Sequence, residues 1–202
     1  MDKTFLKLLS HSDGMLLSNK GLHVKGIHGG IPFLFEKDKS LIGLANEIGA
    51  EYVSLSFVRD ARDILEAKKS LKKDIHVIAK VETRAALENL PEILGEVESV
   101  LMDRGDLSTE IDMLELSEAQ DEVIGSALRA GKNIYLATQF LKNMEKNPIP
   151  LISEIMDLCK TVKSGVSGIQ LSEETAVGRY PIECVKMVFD VFRLHGSGKQ
   201  LS

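Results

Sequence analysis

The sequence has little of what would frame a disulfide scaffold, a zinc site, a membrane span or a nucleic-acid surface. Its two cysteines, Cys159 and Cys184, lie far apart and neither has a CxxC partner, which leaves no basis for a disulfide framework or a zinc site. Both are expected to be small core residues. The five histidines, His11, His23, His28, His76 and His195, show no HExxH or His-x-His spacing and take no role. No stretch approaches the ~18 uncharged residues of a membrane span, and the opening MDKTFLKLL is too short an apolar run for a secretory signal. Positive charge is not in excess either: 25 Lys+Arg against 30 Asp+Glu leave a net charge of −5. That balance gives no attraction to nucleic acid or an anionic membrane, so neither partner is expected, and the location expected is cytoplasmic.

What is present is apolar and periodic. Hydrophobic residues make up 44% of 202 positions, enough for a sizeable core in one large domain or two small ones. Short β-rich runs at 52–58 (YVSLSFV), 76–82 (HVIAKVE), 99–102 (SVLM), 133–139 (NIYLATQ) and 166–172 (VSGIQLS) alternate with helical patterns, which predicts parallel βα units. Asp60, Thr83 and Ser153 stand as helix starts, Pro181 opens the last helix, and Gly131 and Gly165 stand as stops. Pro91 should break the helix after Glu82 in two.

The first 51 residues read differently, with a hairpin signal around residues 18–21, a Gly-rich connection and a helix through LIGLANEIG. The expected organisation is an N-terminal hairpin segment, 1–35, followed by an α/β domain, 36–202. A closed eight-stranded barrel needs about 250 residues. About five βα units therefore make an open sheet, a partial TIM (β/α) barrel, or half of an assembly.

Strand ends carry the chemistry. Alternation in 76–82 places Val77, Ala79 and Val81 on one face, toward helices, and Lys80 and Glu82 on the other, near the C-terminal end where parallel α/β folds hold their sites. The next unit ends in Arg104-Gly105-Asp106, whose carboxylate can approach Glu82 across adjacent strands. Two carboxylates beside a lysine can hold a divalent cation. On spacing alone an equal alternative stands: Lys80 and Glu82 pair with each other, and Asp106 caps the following turn.

The strings IAKVET, MDRGDLSTEI, LATQFLKNMEKNPIP and LSEETAVGRYPIE, in that order, resemble the pyruvate kinase family, and the likeness runs from about Gly14 to Arg193. It implies the fourth to eighth strands of that family's barrel, preceded by the end of its inserted lid domain. The first three strands, most of the lid and the C-terminal domain have no counterpart in these residues.

Carried over by position, the resemblance implies that Lys80 neutralises charge on the transferring phosphoryl group. It implies that Glu82 and Asp106 hold Mg²⁺ or Mn²⁺, and that Gly105 and Asp106 offer backbone N–H groups to a substrate carboxylate. Thr138 matches a threonine near the methylene carbon that is protonated, and Ser172 and Glu174 match a proton relay. The family's arginine and K⁺ ligands come from the unmatched strands, so no K⁺ site is implied here. The lid that covers the nucleotide is reduced to a stub. Asp103 stands where the family has alanine and adds negative charge near a site for an anion; Ser108 and Thr109 replace Gly-Val, and Glu173 replaces a glycine.

The function so implied is phosphoryl transfer between phosphoenolpyruvate and ADP, with completion by another chain or a second copy. Two alternatives stand beside it, a metal-dependent 2-keto acid lyase or decarboxylase and a non-catalytic binding protein. An open sheet edge, with inward residues such as Ile78 and Leu136 lacking partners, predicts a homodimer.

Overall fold

Five short runs of β-branched and aliphatic residues pair in chain order to form an all-parallel sheet, β1 through β5. The computed structural model describes residue 9, residues 13–15 and residues 30–196. The hairpin expected around residues 18–21 lies outside the described residues. The elements are α1 (Glu36–Ile48), β1 (Tyr52–Leu55), α2 (Ala61–Lys68), β2 (His76–Val81), α3 (Arg84–Glu88), α4 (Leu90–Glu96), β3 (Ser99–Asp103), α5 (Arg104–Glu110), α6 (Leu116–Arg129), β4 (Asn133–Ala137), α7 (Ile152–Lys163), β5 (Gly168–Gln170), α8 (Glu173–Ala176) and α9 (Pro181–His195). This is the α/β architecture of a partial barrel. No helix among the described residues is long and apolar enough to cross a membrane.

Local signals account for most boundaries. The Asp60 carboxylate accepts from the Arg62 N–H at 2.8 Å to open α2, and the Thr83 hydroxyl accepts from Ala86 N–H at 2.9 Å to open α3. Thr83 Oγ1 also donates to Val58 O at 3.2 Å, tying the end of β2 to the end of β1. Pro91 sits in the first turn of α4, so the segment after Glu82 is two helices, with the break at Asn89. Gly131 and Gly165 adopt φ of 67° and 93°, a left-handed backbone that lets the chain leave α6 and α7 for the next strand.

Ser153 is not the start of α7. The helix begins at Ile152, with Leu151 at its cap, because the Glu154 carboxylate folds back to accept the Leu151 N–H at 2.8 Å. Four strands are shorter than their β-rich runs, β1 stopping at Leu55 and β5 holding three residues, whereas β3 runs one residue further, to Asp103.

Register assigns the faces. Val81, Met102, Leu136 and Ile169 form one cross-strand row, and Ala79, Val100 and Ile134 form the next. These rows face the helices, and their members in β2, β3 and β4 are buried. Leu136 was expected on the open face; it is fully buried, because its register neighbour is Met102 rather than Leu101. The opposite row runs Lys80, Leu101, Tyr135 and Gly168. A Cβ on Gly168 would lie 2.9 Å from the Tyr135 ring, so any larger residue there would have to displace that ring. Leu34 joins the same core as the sheet, so residues just before α1 pack with the domain.

Candidate functional site

The register that pairs Val81 with Met102 makes Glu82 and Asp103 the next neighbours, at the C-terminal edge of β2 and β3. Glu82 is fully buried. Its Oε2 accepts the Phe57 N–H at 2.6 Å, and its Oε1 pairs with the Lys80 ammonium. Phe57 reaches it from the end of β1 with φ of 54°, a strained value for an aromatic residue. Lys80 also faces Asp103 Oδ2 at 3.6 Å.

Asp103 closes β3 and caps α5. Its Oδ1 accepts from Gly105 N–H at 3.1 Å and from Asp106 N–H at 3.4 Å, and the Thr138 hydroxyl stands 3.2 Å from the same oxygen. Gly105 N–H also lies 2.8 Å from Thr138 Oγ1. The turn cap is therefore Asp103, not Asp106 as one sequence alternative had it. A Cβ on Gly105 would meet Thr138 Oγ1 at 3.3 Å and Asp103 Oδ1 at 3.4 Å, so glycine keeps this approach open.

Thr138 and Gln139 both take positive φ, 72° and 56°. With Phe57 they are the non-glycine residues of left-handed backbone among those described, and all follow the ends of β1 or β4. Strain of this kind persists only where surroundings over-determine it. Arg104 supplies the restraint: its guanidinium donates twice to Thr138 O, at 2.8 and 3.3 Å, pairs with Asp157 at 2.7 Å and lies 3.9 Å from the Phe140 ring centroid.

One carboxylate oxygen from each of Glu82, Asp103 and Asp106 lies within 4.8 Å of the other two. Oxygen ligands around one hard cation stand up to roughly 4–5 Å apart, so the donor set fits a divalent cation such as Mg²⁺ or Mn²⁺. Three carboxylates against one ammonium leave the cluster negative. Burial pushes the Glu82 carboxyl above its ordinary value, against the pull of Lys80 and the Phe57 amide, and the Asp106 charge adds to the rise. Burial works to lower Lys80, but the hydrogen bond and charge of Glu82, with Asp103 and Asp106, outweigh it and hold the ammonium above its ordinary value.

Ser172 and Glu174 do not join this network through a hydrogen bond. Glu174 is buried, and its two oxygens accept the Leu141 N–H at 3.1 Å and the Ser172 N–H at 2.8 Å. It clamps the loop after β4 to the end of β5. Lys80, Glu82, Gly105, Asp106 and Thr138 are brought together; Ser172 and Glu174 stand as a neighbouring strut. Asp103, from sequence only a departure from a family pattern, is the residue that links every part of the cluster. The signal for it was its position directly before a helix start.

A family model described as "Pyruvate kinase, barrel domain" matches residues 1–185. Proteins described as pyruvate kinase from Debaryomyces hansenii, Thermotoga maritima and Bacillus licheniformis are 38%, 33% and 34% identical to the chain, over 93%, 93% and 89% of its length. The aligned region is 38%, 41% and 32% of those relatives, so the chain spans well under half of each.

Proposed function

This chain belongs to the pyruvate kinase family, and we propose that it serves phosphoryl transfer between phosphoenolpyruvate and ADP in the cytoplasm, through a divalent-cation and enolate site at the ends of β2, β3 and β4. The observation that carries the reading is the convergence of Glu82, Asp103 and Asp106 beside Lys80 and Thr138. Glu82 and Asp106 would hold Mg²⁺ or Mn²⁺. When bound, such a cation supplies Lewis-acid polarisation of a keto or enolate oxygen.

The remaining work falls to the chain's own side chains. Lys80, held protonated by its carboxylate neighbours, offsets negative charge on a phosphoryl group as the bond to it loosens. The Thr138 hydroxyl, whose backbone carbonyl is gripped by Arg104, would be the group that passes a proton to the methylene carbon of an enolate. Glu174 and Ser172 hold the loop that carries Thr138.

Completion by a second copy or another chain is part of the same reading. The outer edge of β1 pairs with nothing among the described residues. Beside it lies an apolar groove of about 530 Å³, whose lining includes Phe33, Phe35, Leu41, Val53 and Phe57. An unpaired edge flanked by apolar surface favours strand addition or association.

The test is coupled detection of pyruvate from phosphoenolpyruvate and ADP with Mg²⁺, with oxaloacetate turnover in parallel and sedimentation equilibrium on the same sample. Metal-dependent pyruvate formation from an assembled species, lost in Lys80→Met, is expected. Oxaloacetate turnover without phosphoryl transfer would replace this reading with a metal-dependent decarboxylase.

A further inference from the structure

Four donors converge at the end of β3: the N–H groups of Gly105 and Asp106, the Thr138 hydroxyl and the Lys80 ammonium. Together they form the kind of cradle that captures a ligand carboxylate, two amides for one oxygen and a cation for the other. All four lie within reach of a single carboxylate of the chain, although Gly105 N–H is shared with Thr138 Oγ1 at 2.8 Å and the Thr138 hydroxyl also donates to Ala137 O at 2.7 Å. Asp103 Oδ1 takes the two amides at 3.1 and 3.4 Å and stands 3.2 Å from Thr138 Oγ1, while Oδ2 faces Lys80 at 3.6 Å. Asp103 is buried, and its place as the last residue of β3 fixes it.

We infer that Asp103 is a specificity-determining residue: a resident carboxylate that takes the place of a ligand's own, so that the site holds a bare divalent cation more tightly and a 2-keto carboxylate more weakly than it would without it. The inference rests on the cation reading of Glu82 and Asp106. Two consequences of opposite sign follow from one side chain. With Glu82 and Asp106, Asp103 gives the cation three carboxylate ligands from the chain alone. A ligand carboxylate must then displace Asp103 from the amides or lie against it, like charge to like charge. A small ligand whose reacting oxygen carries no neighbouring carboxylate escapes that conflict.

Opposite signs make the test decisive. Mn²⁺ alone is titrated by calorimetry into the wild type, Asp103→Ala, Asp103→Asn and Glu82→Gln, and oxalate is then titrated at saturating Mn²⁺, with circular dichroism to confirm folding. Asp103→Asn keeps an oxygen that can cap α5, so it remains informative where Asp103→Ala loses helix structure. The expected result is a fall in Mn²⁺ affinity in both Asp103 variants together with a rise in oxalate affinity. That rise should be about tenfold in Asp103→Ala, the scale of one charge-assisted hydrogen bond, and smaller in Asp103→Asn. Oxalate affinity unchanged or reduced in the folded Asp103 variants, with Mn²⁺ still bound by wild type and lost in Glu82→Gln, overturns the role of Asp103 alone. Absence of Mn²⁺ binding in the wild type overturns this inference and the cation reading together.

Discussion

Glu174, after β5, and the cluster of Glu82, Asp103 and Asp106, at the ends of β2 and β3, both belong to the C-terminal end of the sheet, and they do opposite work. Glu174 spends one oxygen on each of two backbone amides and so satisfies both loops. Glu82, Asp103 and Asp106 crowd within 4.8 Å of one another with a single lysine among them. The first arrangement is complete without a ligand. The second carries negative charge in excess of its partners, a state that a bound cation relieves. Carboxylates serve in both; the crowding of three of them around one ammonium separates a site from a strut.

The sharpest way to break the comparison is to remove the strut. Glu174→Ala leaves two buried amides without acceptors, and a loss of about 2–4 kcal/mol in unfolding free energy is expected by urea titration. Mn²⁺ affinity of the folded protein should barely change. A loss of Mn²⁺ binding without a loss of stability would exchange the two roles.

Next in size is Lys80→Met, which leaves the three carboxylates facing each other. The apo protein should lose about 2–3 kcal/mol, and saturating Mn²⁺ should recover most of it, because the cation takes over the neutralising role. A variant destabilised equally with and without Mn²⁺ would mean that Lys80 is only a structural partner.

Glu82→Gln should have the smallest effect on the apo protein, within about 1 kcal/mol, since Asp103 and Asp106 still face Lys80. Its pH dependence sharpens the point. Burial, the main cause, holds the Glu82 carboxyl above its ordinary value of 4.5, so its contribution to stability is full below 4.5 and is lost as pH rises through the raised value. Thermal melts should therefore show wild type gaining on Glu82→Gln as the solution is acidified from neutral. A wild type that loses ground instead would place the Glu82 carboxyl below its ordinary range.

Much of this edge could be read from the chain. Alternation in β2 put Val77, Ala79 and Val81 against helices and Lys80 and Glu82 opposite, as the structure has it, and Thr83 and Pro91 marked the helices that follow. Periodicity within one strand says nothing about register between strands, which is why Leu136 was expected on the wrong face. The linking role of Asp103 was out of reach for a related reason. Its importance comes from meeting Glu82 across a strand pair and Thr138 two strands from Glu82, contacts that spacing does not reveal. The Glu174 clamp was hidden because both its donors are backbone groups in loops, and any residue could supply them.

A hard divalent cation is expected to be held by Glu82 and Asp106. Calorimetric titration of Mn²⁺ into wild type, Glu82→Gln and Asp106→Asn addresses this directly, with circular dichroism to show that each variant is folded. One Mn²⁺ site in the wild type, lost or weakened by about tenfold or more in each variant, is the predicted result. Undiminished Mn²⁺ binding in both folded variants would contradict it.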